Sequence, residues 1–178
     1  IGANDGASGV AVILELAKIM KKNPPPIGVS LVLFDAEDYG TSADSWSYAK
    51  GSQFFAQNIP INYPMYAINL DMIADREPEF YIERYSYQQN PALVLELWEL
   101  ADSLNLDTFK KQAKYTIFDD HVPLYQMAGI PAIDIIDFDF PNEKTNYHHT
   151  HQDIVQNCSP KGLGEVGTLM LNHIYNIK

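Results

Sequence analysis

Four short stretches of the sequence, far apart along the chain, carry acidic or histidine side chains in patterns that can do chemistry. They surround Asp5, the pair Glu37 and Asp38, Asp119, and His149. Carboxylates and imidazoles bind zinc, and a carboxylate beside the metal can also move protons. Each stretch alone has a simpler interpretation, because Asp5 can cap a helix and the Glu37–Asp38 pair can form an exposed acidic turn. Together they predict a zinc enzyme with an open coordination position.

Asp71 adds a carboxylate in apolar surroundings. It interrupts the stretch YAINLDMI at residues 66–73. A buried charge in such a strand is costly unless it is paired or bound to a metal. We therefore expect Asp71 to have a functional role rather than to lie there by chance.

Three of the five histidines, His148, His149 and His151, lie in the stretch NYHHTHQD. Neighbouring side chains of an extended chain point to opposite sides. We therefore expect only one of His148 and His149 to face a metal ion, and the other histidines to face the substrate or solvent. A site made of oxygen ligands alone would favour magnesium, whereas an imidazole favours zinc.

Hydrophobic periodicity predicts helices that alternate with apolar strands. The predicted helices are Ala7–Lys22, Ser52–Gln57, Pro91–Leu104 and Gly162–Ile177, with a helical turn at Pro123–Met127. The predicted strands are Val29–Phe34, Tyr66–Ile73, Phe80–Arg84 and Ile130–Phe138. This order predicts an α/β fold with a largely parallel sheet, helices on both faces and Val29–Phe34 as a covered central strand. Ligands of such sheets bind at the carboxyl ends of the strands, near which Glu37, Asp71 and Asp137 all lie.

Composition excludes several classes of function. The 178 residues carry a net charge of −11, which is unfavourable for binding nucleic acid or an anionic membrane. The single cysteine, Cys158, excludes an internal disulfide and a four-cysteine zinc site. No apolar run is long enough to span a membrane.

Six motifs resemble those of the zinc aminopeptidase and glutaminyl cyclase superfamily, metallopeptidase family twenty-eight. In chain order they are GANDGASGV, FDAEDYG, NLDMI, DDHVP, GIPAIDIIDF and YHHTHQD. The resemblance covers essentially the whole chain. It implies one catalytic domain over residues 1–178, built as a three-layer α/β/α sandwich with a mostly parallel, mixed central sheet. Family members carry a His-x-Asp strand before the first motif, so the resemblance also implies that this chain lacks N-terminal strands.

The resemblance implies a role for each site residue. Asp5, Asp38 and His149 match the ligands of a zinc ion, and Glu37 matches the general base. Asp38 stands where the family often has Glu. His148 departs from the cyclases, which often carry Trp at this position as a wall of the substrate pocket.

Two further acids match family positions that differ between reactions. Asp71 matches a ligand of the second zinc in aminopeptidases, and a member of a hydrogen-bond network in cyclases. Asp119 matches the first acid of the cyclase DDHVP motif, which hydrogen-bonds with the positions of Asp71 and Glu37.

The resemblance leaves three functions open, all directed at the N-termini of peptides or proteins. A cyclase with one zinc ion would convert an N-terminal glutamine into pyroglutamate and release ammonia, and DDHVP favours this function. An aminopeptidase with two zinc ions would hydrolyse the N-terminal peptide bond. A catalytically inactive binding domain is the third alternative, against which the retained acids argue. An extracytoplasmic location, periplasmic or secreted, is implied by the resemblance alone.

Overall fold

The computed structural model describes residues 2–60, 62–142 and 144–176. Six α-helices in these residues are α1 Ala7–Lys22, α2 Lys50–Gln57, α3 Arg84–Gln89, α4 Pro91–Ser103, α5 His121–Ala128 and α6 Pro160–Asn176. Six strands are β1 Ala67–Asp71, β2 Phe80–Ile82, β3 Phe109–Ala113, β4 Ala132–Ile136, β5 Pro141–Asn142 and β6 Thr145–Asn146. No helix in the described parts of the chain is both long and apolar enough to cross a membrane.

Parallel pairing of β1 with β4 forms the centre of the molecule. Ala67 lies opposite Ala132, and the register continues to Asp71 opposite Ile136. β2 and β3 also pair in parallel, whereas the short strands β5 and β6 are antiparallel. The predicted α/β fold with mostly parallel, mixed strands is therefore confirmed.

The two faces of the central strands are covered by different helices. Residues at alternate positions, such as Ile133 and Ile135, join the main core with α1, α4 and α6. The intervening positions, such as Ala132, pack with Leu124 of α5 on the other face. Because side chains alternate along a strand, Asn69, Asp71 and Asp134 all belong to this second face.

Most of the predicted elements are present. α1 has the predicted bounds, and α4 and α6 differ from the predictions by only a few residues within the described chain. The turn predicted at Pro123–Met127 is the longer helix α5, which begins at His121. The sequence analysis missed α3 and β3, because the stretch FKKQA of β3 is too polar to indicate a strand.

The prediction of a covered central strand at Val29–Phe34 is wrong. These residues belong to no strand, and they alternate between half-buried and exposed positions. Leu31 is 39% exposed and Leu33 is 56% exposed. The physical reason is that a strand requires a hydrogen-bonded neighbour, and the described residues provide none for this segment.

Close backbone contacts join two helices to the region around β1. A Cβ added to Gly9 of α1 would lie 1.9 Å from the carbonyl oxygen of Leu70. A Cβ added to Gly162 of α6 would lie 2.1 Å from the carbonyl oxygen of Ile73. Glycine permits this approach because it has no side chain, so both helices rest directly on the backbone that carries Asp71.

Candidate metal site and acidic network

The turn before α1 is tied to the late histidine loop. The backbone N–H groups of Asn4 and Asp5 donate to the two carboxylate oxygens of Asp153, at 2.7 and 3.1 Å. Asn4 is buried and accepts a further hydrogen bond from the backbone of Ala74. These contacts bring residues that are nearly 150 positions apart in the sequence to one edge of the sheet.

Asp5, Asp38 and His149 converge at this edge. His149 Nε2 lies 3.3 Å from Asp5 Oδ2 and 2.8 Å from Asp38 Oδ1. Burial and the nearby Asp38 raise the pKa of Asp5 to about 6, although His149 opposes the shift. The structure thus brings together the three residues that the sequence analysis proposed as ligands.

His148 also faces this point. Its Nε2 lies 3.5 Å from Asp5 Oδ2, and its ring stacks on that of His149 with centroids 3.7 Å apart. The expectation that only one of these two side chains would face the metal position is therefore wrong. It assumed an extended backbone, whereas His149 has a left-handed φ of 57°.

Glu37 lies in the same turn as Asp38. The preceding residue, Ala36, has a left-handed φ of 52°, which turns the chain after residues 29–34. Burial, followed by repulsion from Asp119 and Asp38, raises the pKa of Glu37 to about 10. Glu37 is consequently a proton-holding group beside the metal position as long as no cation is bound.

Asp71 lies at the end of β1, behind the turn that carries Asp5. Its Oδ1 accepts a hydrogen bond of 3.3 Å from the backbone N–H of Gly6. Burial and repulsion from Asp119 and Asp5 hold the pKa of Asp71 well above its usual range. Asp71 therefore electrostatically connects the metal position to the acids further inside.

A buried network, which we call the inner network, extends from Asp119 into the molecule. The side-chain amide of Asn69 donates to Asp119 Oδ2 at 2.7 Å and to Asp134 Oδ1 at 3.2 Å. Asn69 and Asp134 are direct neighbours in the parallel register of β1 and β4. A hydrogen bond between the Asp119 and Asp134 carboxyl groups adds to burial and repulsion in holding the pKa of Asp134 well above its usual range. The side-chain amide of Asn69 therefore joins the two carboxyl groups.

The inner network ends at the hydrogen-bonded pair of Glu83 and His121, both fully buried. Glu83 accepts hydrogen bonds from the backbone of Ser86 and Ile117 and lies 3.1 Å from His121 Nε2. Burial opposes the charge of Glu83, but the contact with His121 and the backbone N–H groups of Ser86 and Tyr85 keep its pKa below its usual value. His121 Nδ1, on the other side of the ring, lies 3.9 Å from Asp134 Oδ2.

The sequence analysis did not identify Asn69, Glu83, His121 and Asp134 as members of one network. A signal was available, because Asp134 interrupts the apolar strand AIDII just as Asp71 interrupts its own strand.

Asp137, which the sequence analysis placed near a strand end, lies away from the metal site. It is buried beside a separate cleft of about 590 Å³ and accepts hydrogen bonds from the backbone of Glu79 and Asp139.

Two groups of side chains in the described ranges bring three ligand atoms within 4.8 Å of one another. They are Asp5, His148 and His149 at the edge, and Asp119, His121 and Asp134 inside. At the edge, the separations of 3.3 and 3.5 Å between Asp5 Oδ2 and the two imidazole nitrogens suit ligands that each lie about 2.0–2.2 Å from one zinc ion. Asp5 and His149, together with Asp38, border an open cavity of about 490 Å³. The residues present therefore fit a zinc ion that is accessible to a substrate.

Comparison with known proteins gives consistent similarities. Residues 1–174 match Peptidase family M28. Aminopeptidase YwaD of Bacillus subtilis is 27% identical, over 98% of this chain and 37% of the relative. The structure superposes with a TM-score of 0.93 on Tannerella forsythia glutaminyl cyclase, at 36% identity over 99% of this chain and 64% of that one. A Zn-dependent exopeptidase from Parabacteroides distasonis gives a TM-score of 0.92 at 34% identity, over 99% of this chain and 64% of that one. The chain thus spans less than two thirds of the length of these relatives.

Proposed function

Because this chain belongs to peptidase family M28, we propose that residues 1–178 form the catalytic domain of a zinc-dependent glutaminyl-peptide cyclotransferase. The substrate would be a peptide or protein with an N-terminal glutamine. The observation that carries the proposal is the inner network, in which the side-chain amide of Asn69 donates hydrogen bonds to both Asp119 and Asp134. Such a network suits a reaction that moves a proton between two nitrogens without activating water. By resemblance to the family, we place the parent protein outside the cytoplasm.

Asp5, Asp38 and His149 are the proposed ligands of one zinc ion. His149 Nε2 lies 3.3 Å from Asp5 Oδ2 and 2.8 Å from Asp38 Oδ1, and all three residues border the open cavity. When bound, zinc would supply Lewis acidity that polarises the side-chain amide of the substrate glutamine.

Glu37 is the proposed proton shuttle. In the reaction, the α-amine nitrogen forms a bond to the side-chain carbonyl carbon, and the bond from that carbon to the amide nitrogen breaks. Glu37 takes a proton from the attacking amine and delivers it to the departing nitrogen, which leaves as ammonia. The raised pKa of Glu37 suits a group that must hold this proton, and a cation at Asp38 favours the return of Glu37 to the carboxylate form.

Asp71 and Asp119 are the proposed partners of Glu37 in this transfer. Repulsion from Asp119 is the strongest charge effect on both Glu37 and Asp71. Because Glu37, Asp71 and Asp119 lie so close together, the three carboxyl groups together carry fewer than three negative charges at neutral pH. We propose that Asp119, held in position by the hydrogen bond from the amide of Asn69, orients the protons held by these three acids toward Glu37.

A second candidate function is hydrolysis by a zinc aminopeptidase. The position of Asp71 beside Asp5 supports it, because Asp5 could bridge to a second ion held by Asp71. The similarity to an aminopeptidase of Bacillus subtilis supports it as well. In this alternative, Glu37 would act as the base that activates water.

Activity assays on the zinc-loaded chain test these functions. We expect release of ammonia from peptides that begin with glutamine, no hydrolysis of leucine amides, and one zinc ion per chain. Two zinc ions with hydrolysis of leucine amides would instead identify an aminopeptidase. If neither reaction occurs, whether or not zinc is bound, the chain is a binding domain and the proposal is contradicted.

The variant Glu37→Gln tests the proton shuttle. We expect turnover to fall by about 100-fold or more, as is typical of losing a general acid–base group, while one zinc ion remains bound. Glu15→Gln is the matched control, because Glu15 is exposed on α1 and pairs with the exposed Lys18. Loss of zinc from Glu37→Gln would mean that the roles of Glu37 and Asp38 are exchanged.

A further inference from the structure

Two consecutive imidazoles project from the same side of the loop at residues 146–153. The backbone N–H of His148 donates to Asn146 Oδ1 at 2.8 Å, and that of Thr150 donates to the carbonyl of Tyr147 at 3.0 Å. His149 between them has a left-handed backbone, an uncommon conformation for a residue with a side chain. Such strained residues persist where surrounding contacts enforce them and are frequent at functional sites.

The ring of His148 is held in place from both sides. His149 stacks on it with an interplanar angle of 34°, and Phe138 packs against it with ring centroids 5.2 Å apart. Its side chain is only 22% exposed, compared with 48% for His149. His148 is therefore the more fixed of the two imidazoles, and its position does not depend on contact with a metal.

Both imidazoles direct their Nε2 atoms toward one carboxylate oxygen. Asp5 Oδ2 lies 3.5 Å from His148 Nε2 and 3.3 Å from His149 Nε2. Atoms at these separations can be ligands of one ion, since each ligand lies about 2.0–2.2 Å from zinc. Asp38 adjoins this group through the 2.8 Å contact between its Oδ1 and His149 Nε2.

We propose that His148 is a fourth protein ligand of this metal, so that the site comprises two carboxylates and two imidazoles. The inference rests on the zinc site of the proposed function and extends it to a residue at which the cyclases often carry Trp. A second imidazole strengthens the preference for zinc and related borderline metals over magnesium, which prefers oxygen ligands. The substrate would then bind as a fifth ligand, because catalytic zinc sites can expand from four to five ligands.

Zinc affinity of three histidine variants tests this inference without relying on activity. His148→Phe keeps an aromatic ring against Phe138 but removes the nitrogen lone pair. We expect zinc affinity, measured by competition with a chromophoric chelator, to fall at least about tenfold, because even losing a hydrogen-bond partner of a ligand costs about 10–100-fold. His151→Phe is the matched control, because His151 is exposed in the same loop and belongs to neither metal-binding group. His149→Phe should show the largest loss of the three.

X-ray absorption of the zinc-loaded protein provides an independent count of ligands. We expect two imidazoles per zinc ion in the unmodified chain and in His151→Phe, and one in His148→Phe. Unchanged affinity and an unchanged imidazole count in His148→Phe would overturn the inference, even if the protein remained a one-zinc cyclase. Absence of zinc binding by the unmodified chain would overturn both this inference and the proposed function. Two imidazoles without ammonia release would overturn the proposed function alone.

Discussion

The metal site at the edge and the inner network use the same kinds of side chain in opposite surroundings. At the edge, Asp38 and His149 have side chains about half exposed, at 53% and 48%. In the inner network, Glu83 and His121 are fully buried, and Glu83 is held by several backbone donors. The difference teaches that burial decides what an acid–histidine pair can do. The exposed pair is available to a cation that arrives from solvent, whereas the buried pair must be neutralised by its own partners.

The largest effect should follow from breaking the buried pair. His121→Leu removes the only imidazole that contacts Glu83 in the described chain, and leaves a buried charge uncompensated. We expect a loss of about 3–5 kcal/mol in the free energy of unfolding, measured by urea denaturation. His151→Leu, at an exposed position, should change this value by less than about 0.5 kcal/mol. A loss below about 1 kcal/mol in His121→Leu would contradict the structural role assigned to the buried pair.

A change at the edge should affect metal binding instead of folding. Asp5→Asn removes a ligand charge, and we expect zinc affinity to fall about 100-fold, equivalent to about 2.7 kcal/mol. In a chelator, however, the variant should unfold at a temperature equal to or above that of the unmodified chain. The reason is that burial and nearby acids raise the pKa of Asp5, so its negative charge is unfavourable in the folded protein. Asp102→Asn, at an exposed ion pair on α4, is the control for zinc affinity. If Asp5→Asn lowers the unfolding temperature of the metal-free protein, the edge site also supports folding, and the proposed difference between the two regions is wrong.

The smallest effect concerns the dependence of stability on pH. Burial and repulsion from Asp119 raise the pKa of Asp120 from 3.8 to about 7. Since this pKa is higher in the folded chain than in the unfolded chain, the stabilisation is complete below pH 4 and is lost as pH rises toward 7. We therefore expect the metal-free protein to lose stability between pH 5 and pH 7, and Asp120→Asn to remove about 2 kcal/mol of this loss.

Thermal unfolding in a chelator across this pH range measures the effect. Asp102→Asn should retain the full pH dependence of the unmodified chain, because Asp102 is exposed and paired with Lys111. An Asp120→Asn variant with the same slope as the unmodified chain would show that Asp120 does not retain its proton in the fold.

The sequence was sufficient to predict the helices with clear amphipathic periodicity and the residues whose chemistry is unusual for their position. α1 and α4 follow from apolar spacing and from Pro91 at a helix start, because these signals are local. Asp71 could be found because a carboxylate in an apolar strand demands a partner. Asp5, Asp38 and His149 were proposed as ligands from the family resemblance, and the fold brings them together.

Features that depend on distant contacts could not be predicted from local pattern. Val29–Phe34 has the composition of a strand, but pairing requires a neighbour, which no local pattern can supply. The direction of His148 depends on the left-handed backbone at His149, which sequence spacing does not reveal. The bond from Asn69 to Asp134 depends on the register between β1 and β4, which becomes known only when the strands are paired.

Gly9, which has no side chain, sets the distance between the start of α1 and the strand beside the metal site. Gly9 lies one helical turn after Asp5, and its Cα rests against the carbonyl of Leu70, next to Asp71. Any added methyl group would lift the start of α1 away from the strand, and Asp5 would move with it. Metal sites tolerate ligand displacements of only about 0.2 Å. The tolerance of the whole site for change is therefore set partly by a residue that has no functional group, and selection for metal binding would act on Gly9 as strongly as on a ligand.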